Sequence, residues 1–306
     1  MRIVASTLLV AATLGFGRQA YATWPDYIGT RAVGMGGALR AAATGDAGPM
    51  LNPSGMALAR AYAVEAGYQL TSDPSSHRPH LSVVDSTSAT GIAAGLHYTY
   101  VSAKPGNAKL TGHEAGLAVS IPFGGRVFLG GQAKYYRLWS ASTLAPPEGQ
   151  PDLPEETTRG FTFDLGATIR VLEALNFAVV GYNLADLDSA LAPVALGTGA
   201  AYAPLAKVTL AFDTVFDFTT YDDTRETLTS LMGGVEYLTD GGVAVRVGGG
   251  RNGPREAGYV SAGASAISEL GAVDVGISRD LSGDPKLTVF VISARLFAAT
   301  GAVDPG

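Results

Sequence analysis

The feature that most constrains this chain is a long series of short segments in which apolar residues alternate with small or polar ones. Alternation with period two places residues i, i+2 and i+4 on one face of an extended strand. In segment 61–71, Tyr62, Val64, Ala66, Tyr68 and Leu70 share one face, and Ala63, Glu65, Gly67, Gln69 and Thr71 share the other. The same pattern sets Phe161, Phe163, Leu165, Ala167 and Ile169 against Thr162, Asp164, Gly166, Thr168 and Arg170. It returns with Ile92, Ala94, Leu96, Tyr98 and Tyr100, with Val208, Leu210 and Phe212, with Val243, Val245 and Val247, and with Val273, Val275 and Ile277. Turn residues divide the chain into about fourteen segments: 61–71, 78–86, 90–102, 110–121, 125–139, 160–172, 175–184, 194–203, 206–217, 227–238, 243–251, 256–266, 269–280 and 286–297.

Such strands fit either a soluble sandwich, with the apolar face as core, or a membrane barrel, with that face toward lipid. The second face favours the barrel, because it carries Gly, Ala, Ser and Thr where a water-exposed face would carry Lys and Glu. Charged residues make up 16% of the chain, well under the usual quarter. Tyrosines gather near segment ends, as in interfacial girdles. The connections after odd-numbered segments are longer than those after even-numbered ones, the asymmetry of barrels with short periplasmic turns and longer outer loops. The reading is all-β: a transmembrane antiparallel β-barrel of about 14 strands. Its longest loop, 140–159, is rich in proline and acid (Pro146, Pro147, Pro151, Pro154, Glu148, Asp152, Glu155, Glu156) and is a candidate cap for the mouth.

Residues 1–22 have the form of an export signal, with Arg2, an apolar stretch over 3–16 and the small-x-small site Ala20-Tyr21-Ala22. The expected mature chain starts at Thr23, with a plug over 23–60, the barrel over 61–297 and a tail over 298–306. Within the plug lies GTRAVGMGGALRAAATGDAGPMLNPSGMALAR, residues 29–60. Its glycines allow close backbone approach, and Pro49 and Pro53 stiffen it. The pattern carried by Gly29, Arg31, Ala32, Gly34, Met35, Gly36, Gly37, Ala38, Asp46, Asn52, Pro53, Gly55 and Ala57 resembles the N-terminal plug of the FadL/TodX-like outer-membrane transporters. It is closer still to their PorV/PorQ-like relatives, from which Gly45-Asp46 and Ser54 depart. The resemblance implies a Gram-negative outer-membrane location and fourteen strands. It also implies passive transport of small hydrophobic molecules, fatty-acid or aromatic, released by plug movement and a lateral opening of the wall. The plug residues expected to gate are Gly29, Arg31, Gly34, Gly36, Gly37, Asp46, Asn52, Pro53 and Gly55. The PorV-like branch implies instead a scaffold or cargo-binding component of a protein secretion system. Expected partners are outer-membrane lipid and lipopolysaccharide, a hydrophobic ligand and, on the second reading, secretion proteins.

No catalytic constellation stands out, so neither an enzyme nor a cofactor is expected. Gly263-Ala264-Ser265-Ala266 lacks the closing glycine of a nucleophile elbow, and His113-Glu114 lacks the second histidine of a zinc helix. The formal charge of −6 argues against nucleic acid. His77 and His80 fall beside a loop and read as solvated. The candidate lumen residues are Glu65, His97, Lys134, Asp164, Arg170, Asp213, Glu236, Arg246 and Asp274. A tight turn at 240–242 sets Glu236 opposite Arg246, and Arg31 and Asp46 are the natural plug partners of such buried charges.

Overall fold

The computed structural model describes residues 28–72, 75–104, 108–142, 156–220, 226–283 and 285–297. The expected export signal, the tail over 298–306 and the prolines of the longest loop lie outside the described residues. Fourteen strands follow one another: β1 (Tyr62–Ser72), β2 (Ser75–Asp85), β3 (Ala93–Lys104), β4 (Ala108–Phe123), β5 (Val127–Ser142), β6 (Glu156–Leu172), β7 (Leu175–Tyr182), β8 (Ala195–Leu205), β9 (Val208–Asp217), β10 (Leu228–Leu238), β11 (Val243–Asn252), β12 (Ala257–Ile267), β13 (Gly271–Asp280) and β14 (Thr288–Phe297). Each pairs antiparallel with its neighbours, and β1 closes on β14 from Ala63↔Phe297 to Ser72↔Thr288. Closure leaves no sheet edge, as a strand protein in hydrocarbon requires.

The alternation of the sequence is the alternation of the wall. Leu96, Leu117, Phe161, Leu165, Phe212, Val247 and Val273 point outward and are about half exposed or more, whereas Glu65, Gln69, Thr99, Gln132, Asp164 and Asp213 point inward and are buried. A soluble sandwich has the opposite arrangement, so the apolar belt identifies the lipid face. Several boundaries differ from the sequence reading by a few residues. β2 starts at Ser75, which places His77 on a strand and His80 well inside it. His77 faces outward and meets the Tyr68 hydroxyl at 2.9 Å. His80 is buried, not solvated, and bonds Thr99 Oγ1 at 2.8 Å. β5 and β6 run further than expected and shorten the longest connection to 143–155.

Residues 28–60 lie against the inward faces of the strands. A short helix, Thr30–Gly34, packs on β11–β14. A 3-10 turn, Arg40–Ala42, packs on β7–β9, and a second, Pro53–Leu58, packs on β3–β6. The helix Ala47–Leu51 joins the two turns. The Met35–Gly36 backbone approaches the wall where four glycines face one another, Gly233↔Gly249 and Gly234↔Gly248. A methyl group on Gly36, which has φ +67°, would lie 2.4 Å from the Gly249 nitrogen. Side chains on Gly36, Gly234 or Gly248 would force the segment off the wall.

Leu165 sits mid-strand on the outer face and Leu296 near the short-turn edge. Leu165→Arg is expected to destabilise the barrel in lipid vesicles by about 2–4 kcal/mol, and Leu296→Arg by about 0–1 kcal/mol. Denaturant titration of both variants in vesicles reads the difference, and equal tolerance at the two depths would contradict a lipid-facing belt.

Candidate functional site

The charges inside the barrel form a connected path that starts and ends in the 28–60 segment. Arg31 forks onto Glu236 of β10, with Nε at 2.9 Å and Nη2 at 2.7 Å from the two carboxylate oxygens. Glu236 also accepts from Arg246 Nε of β11 at 2.6 Å, and the two are directly opposite in the ladder, as the tight turn requires. Arg246 donates to Ser265 of β12, and the Ser265 hydroxyl donates to Asp274 of β13. Asp274 takes Arg295 of β14, whose Nη2 is 2.9 Å from both of its oxygens. Arg295 Nη1 then reaches Asp46 at 3.1 Å, back in the segment. Glu65 of β1 stands 3.9 Å from Arg295 Nε. Six neighbouring strands, β10 through β14 and β1, thus each contribute one side chain. Burial works to raise the Asp46 carboxyl, but the Arg295 charge and a hydrogen bond with Glu65 outweigh it and hold Asp46 below the ordinary carboxylate range.

A second anchor holds the middle of the segment. Asp213 of β9 is fully buried and accepts from the Leu39 and Arg40 amides, both at 2.8 Å, and from Arg40 Nη1 at 3.1 Å. Arg40 Nε bonds the Tyr182 hydroxyl at 2.7 Å, and that hydroxyl donates to the Leu51 carbonyl. Asn52 is the third anchor. Its amide donates to the Arg40 carbonyl at 2.8 Å and to Thr168 Oγ1 at 2.9 Å, while its oxygen accepts from the Ser54 amide and hydroxyl. Pro53 begins the 3-10 turn behind it, and Gly55 packs on the Ala43 carbonyl. A methyl group on Gly34 would contact Gly263 and Arg246, and one on Gly37 the Met232 sulfur. Gly29 precedes the first helix with φ +85°.

Above the segment, toward the long-connection end, is a cavity of about 320 Å³. Ile28, Met50 and Leu51 form part of its lining from the segment side, and Val101, Leu110 and Leu138 from the wall. Lys134 and Asp164 also line it, paired with each other at 2.9 Å. The β7–β8 connection, 183–194, turns inward. Ala192 is buried against Val101, Leu110, Tyr136 and Leu138, and Leu191 joins them. Among the described residues this connection lines the cavity from the outer end, together with Thr220, Pro254 and Arg255 of the β9–β10 and β11–β12 connections. His97 lies below, buried, with Nε2 against the Gln132 amide at 2.5 Å and its ring stacked on His80. Arg170 stands apart from the charge path, near the short-turn rim, with its guanidinium over Phe128 and 3.4 Å from the Leu58 carbonyl. Among the described residues no three metal-ligating side chains converge.

Sequence reasoning brought Glu236, Arg246, Asp213, Asp274 and Glu65 to the correct face but missed Arg40, Tyr182 and Arg295. Arg295 was within reach, since alternation along 286–297 turns it inward beside the outward Ala294 and Leu296. Asp213→Ala is expected to leave Arg40 buried without its carboxylate, a cost of about 3–5 kcal/mol. Hydrogen exchange at residues 38–42 then rises while the strands stay protected. The double variant Arg40→Met/Asp213→Leu recovers much of the protection.

No family model matches the chain, and no curated protein does. Solved structures do. A CymD monoaromatic hydrocarbon channel superposes with TM-score 0.69 at 14% identity, over 89% of this chain and 97% of the channel. The Ralstonia pickettii toluene transporter TbuX gives 0.69 at 14% identity, over 88% and 98%. A Pseudomonas aeruginosa FadL homologue gives 0.63 at 12% identity, over 87% and 97%. At such identities the likeness is one of fold, and it extends over nearly the whole of each of these structures.

Proposed function

We propose that this protein is an outer-membrane channel for passive uptake of small hydrophobic molecules, gated by the 28–60 segment acting as a plug. The observation that carries the reading is the cavity of about 320 Å³ whose lining comes from both segment and wall. That volume is at the small end of ligand pockets and suits a compact apolar molecule. The similar structures described as a monoaromatic hydrocarbon channel and a toluene transporter point to the same ligand class. In this reading the long connections face outward and the ligand enters past 183–194. The plug has two arrangements, and ligand favours the one in which the floor has shifted.

A sideways exit has a candidate place. The β2–β3 ladder runs through His77↔Ser102 and resumes at His80↔Thr99, leaving Arg78 and Pro79 out of register pairing with β3. Proline has no amide hydrogen to give the ladder, and Arg78 lines the cavity at this level. The PorV-like scaffold remains the alternative; a cavity lined by both segment and wall favours transport.

The chain has no cysteine, so a single engineered disulfide tests gating cleanly. Thr30 Oγ1 donates to Ser293 Oγ at 2.9 Å, which suits a Thr30→Cys/Ser293→Cys pair joining segment to β14. Oxidation is expected to lower toluene flux into proteoliposomes at least about tenfold, against the unrestrained channel, and reduction to restore it. Equal flux in the oxidised and reduced protein would overturn gating by the segment.

A further inference from the structure

The outer surface of β3–β6 carries a feature that transport through the interior does not use. Four side chains form one row across the ladder: Tyr100↔His113, His113↔Arg137 and Arg137↔Arg159. Arg137 and Arg159 are exposed on the lipid side and directly opposite each other. Like charges in that position are destabilising. Among the described residues no carboxylate lies within ion-pair distance of either. Aromatic groups hold both guanidiniums instead. Arg137 lies 4.9 Å over the Trp139 ring, and Arg159 Nε donates to the Tyr135 hydroxyl at 3.1 Å. The His113 ring meets Trp139 edge-on and bonds the Tyr98 hydroxyl at 2.6 Å.

The row has a defined depth. The next outward row toward the short turns is Tyr98, Ala115, Tyr135 and Phe161, and beyond it come Leu96, Leu117, Ala133 and Phe163. Apolar, then aromatic, then cationic is the order of hydrocarbon, interface and headgroup. At the other side the last outward apolar pair in register between β5 and β6 is Val127↔Ile169, with Val171 one step further along β6. From that pair to Arg137 and Arg159 is about 34 Å of extended chain, or about 26 Å along the axis at the usual tilt of about 40°. A barrel's apolar band is about 25 Å tall. The two arginines therefore stand at the headgroup boundary of the leaflet on the long-connection side.

We propose that Arg137 and Arg159 form a site for the phosphate of a lipid headgroup, with Trp139 and Tyr135 orienting the guanidiniums and the aromatic row receiving the upper acyl chain. Two guanidinium forks on directly opposed residues can share one tetrahedral phosphate, and that anion removes the repulsion between them. On the outer-membrane placement above, the occupant is the phosphorylated glycolipid of the outer leaflet. The assignment depends on that placement and not on what the channel carries.

The test is native mass spectrometry of the full chain, purified in detergent, with bisphosphorylated lipid A and with the same lipid dephosphorylated. The expected result is at least a tenfold preference for the phosphorylated form in the unmodified protein, which requires no variant. Arg137→Gln/Arg159→Gln is expected to abolish the preference, with folding checked by heat-modifiable migration, while Arg126→Gln at the opposite end keeps it. Arg137→Lys/Arg159→Lys, which retains charge without the fork, is expected to keep only part of it. Equal occupancy by the two lipids overturns the proposal, and so does an unchanged preference in the Gln double variant. Displacement of the lipid by millimolar inorganic phosphate also overturns it, by making the row a general anion site.

Discussion

The structure depends on how it neutralises charge inside a closed wall. An unpaired ion removed from water costs several kcal/mol, and the inward face of this barrel carries carboxylates or guanidiniums on more than half of its strands. Some pair within the wall, as Lys134 does with Asp164, and others are satisfied through the 28–60 segment. Arg31 and Asp46 complete a path that the wall alone leaves open at both ends, at Glu236 and at Arg295. Without the segment, Asp213 also loses the two amides and the guanidinium that surround it. The segment is thus positioned by electrostatics at its two flanks and by backbone hydrogen bonds at its centre.

Shape reinforces charge. The wall glycines at 234 and 248 let the Met35–Gly36 backbone touch the strands, where a side chain would hold it away. This close seat keeps the segment in the short-turn half of the barrel and leaves the other half for the cavity. The β7–β8 connection, anchored by Asn183 to Asp164 and to the Pro193 carbonyl, supplies apolar side chains from the outer end. Polar anchoring below and apolar lining above are what a chamber for a compact hydrophobic molecule needs. Pairs such as Lys134–Asp164 keep the charges in its wall occupied with each other.

The architecture was legible because strand alternation is a local signal. Period two, turn residues and alternating connection lengths fixed fourteen strands, their order and the face of almost every residue. One long-range pair was also legible: Glu236 and Arg246 are joined by a tight turn, so counting sets them opposite. The partners of Arg31 and Asp46 were legible only as a class, because alternation states which face a residue occupies and not what crosses the lumen to meet it. Arg40 escaped notice for that reason; in ALRAAATGD it reads as a surface residue, and only the folded segment delivers it to Asp213. The inward turn of 183–194 escaped because its apolar residues, Leu184, Leu187, Leu191 and Val194 among them, follow no strand or helix period that would say which way a connection faces. The reading of His80 as solvated failed because β2 begins at Ser75 rather than 78, so His80 lies well inside the strand on its inward face, with Pro79 tolerated where pairing with β3 lapses.

The central claim is that the segment and the wall together enclose a site for a small apolar ligand. Anomalous diffraction from crystals of the protein soaked in bromobenzene tests it most directly. The account predicts a bromine peak inside the barrel, between Leu51 of the segment and Leu110 and Leu138 of the wall. Bromine found only on the outer apolar belt, with the interior unlabelled, would contradict it.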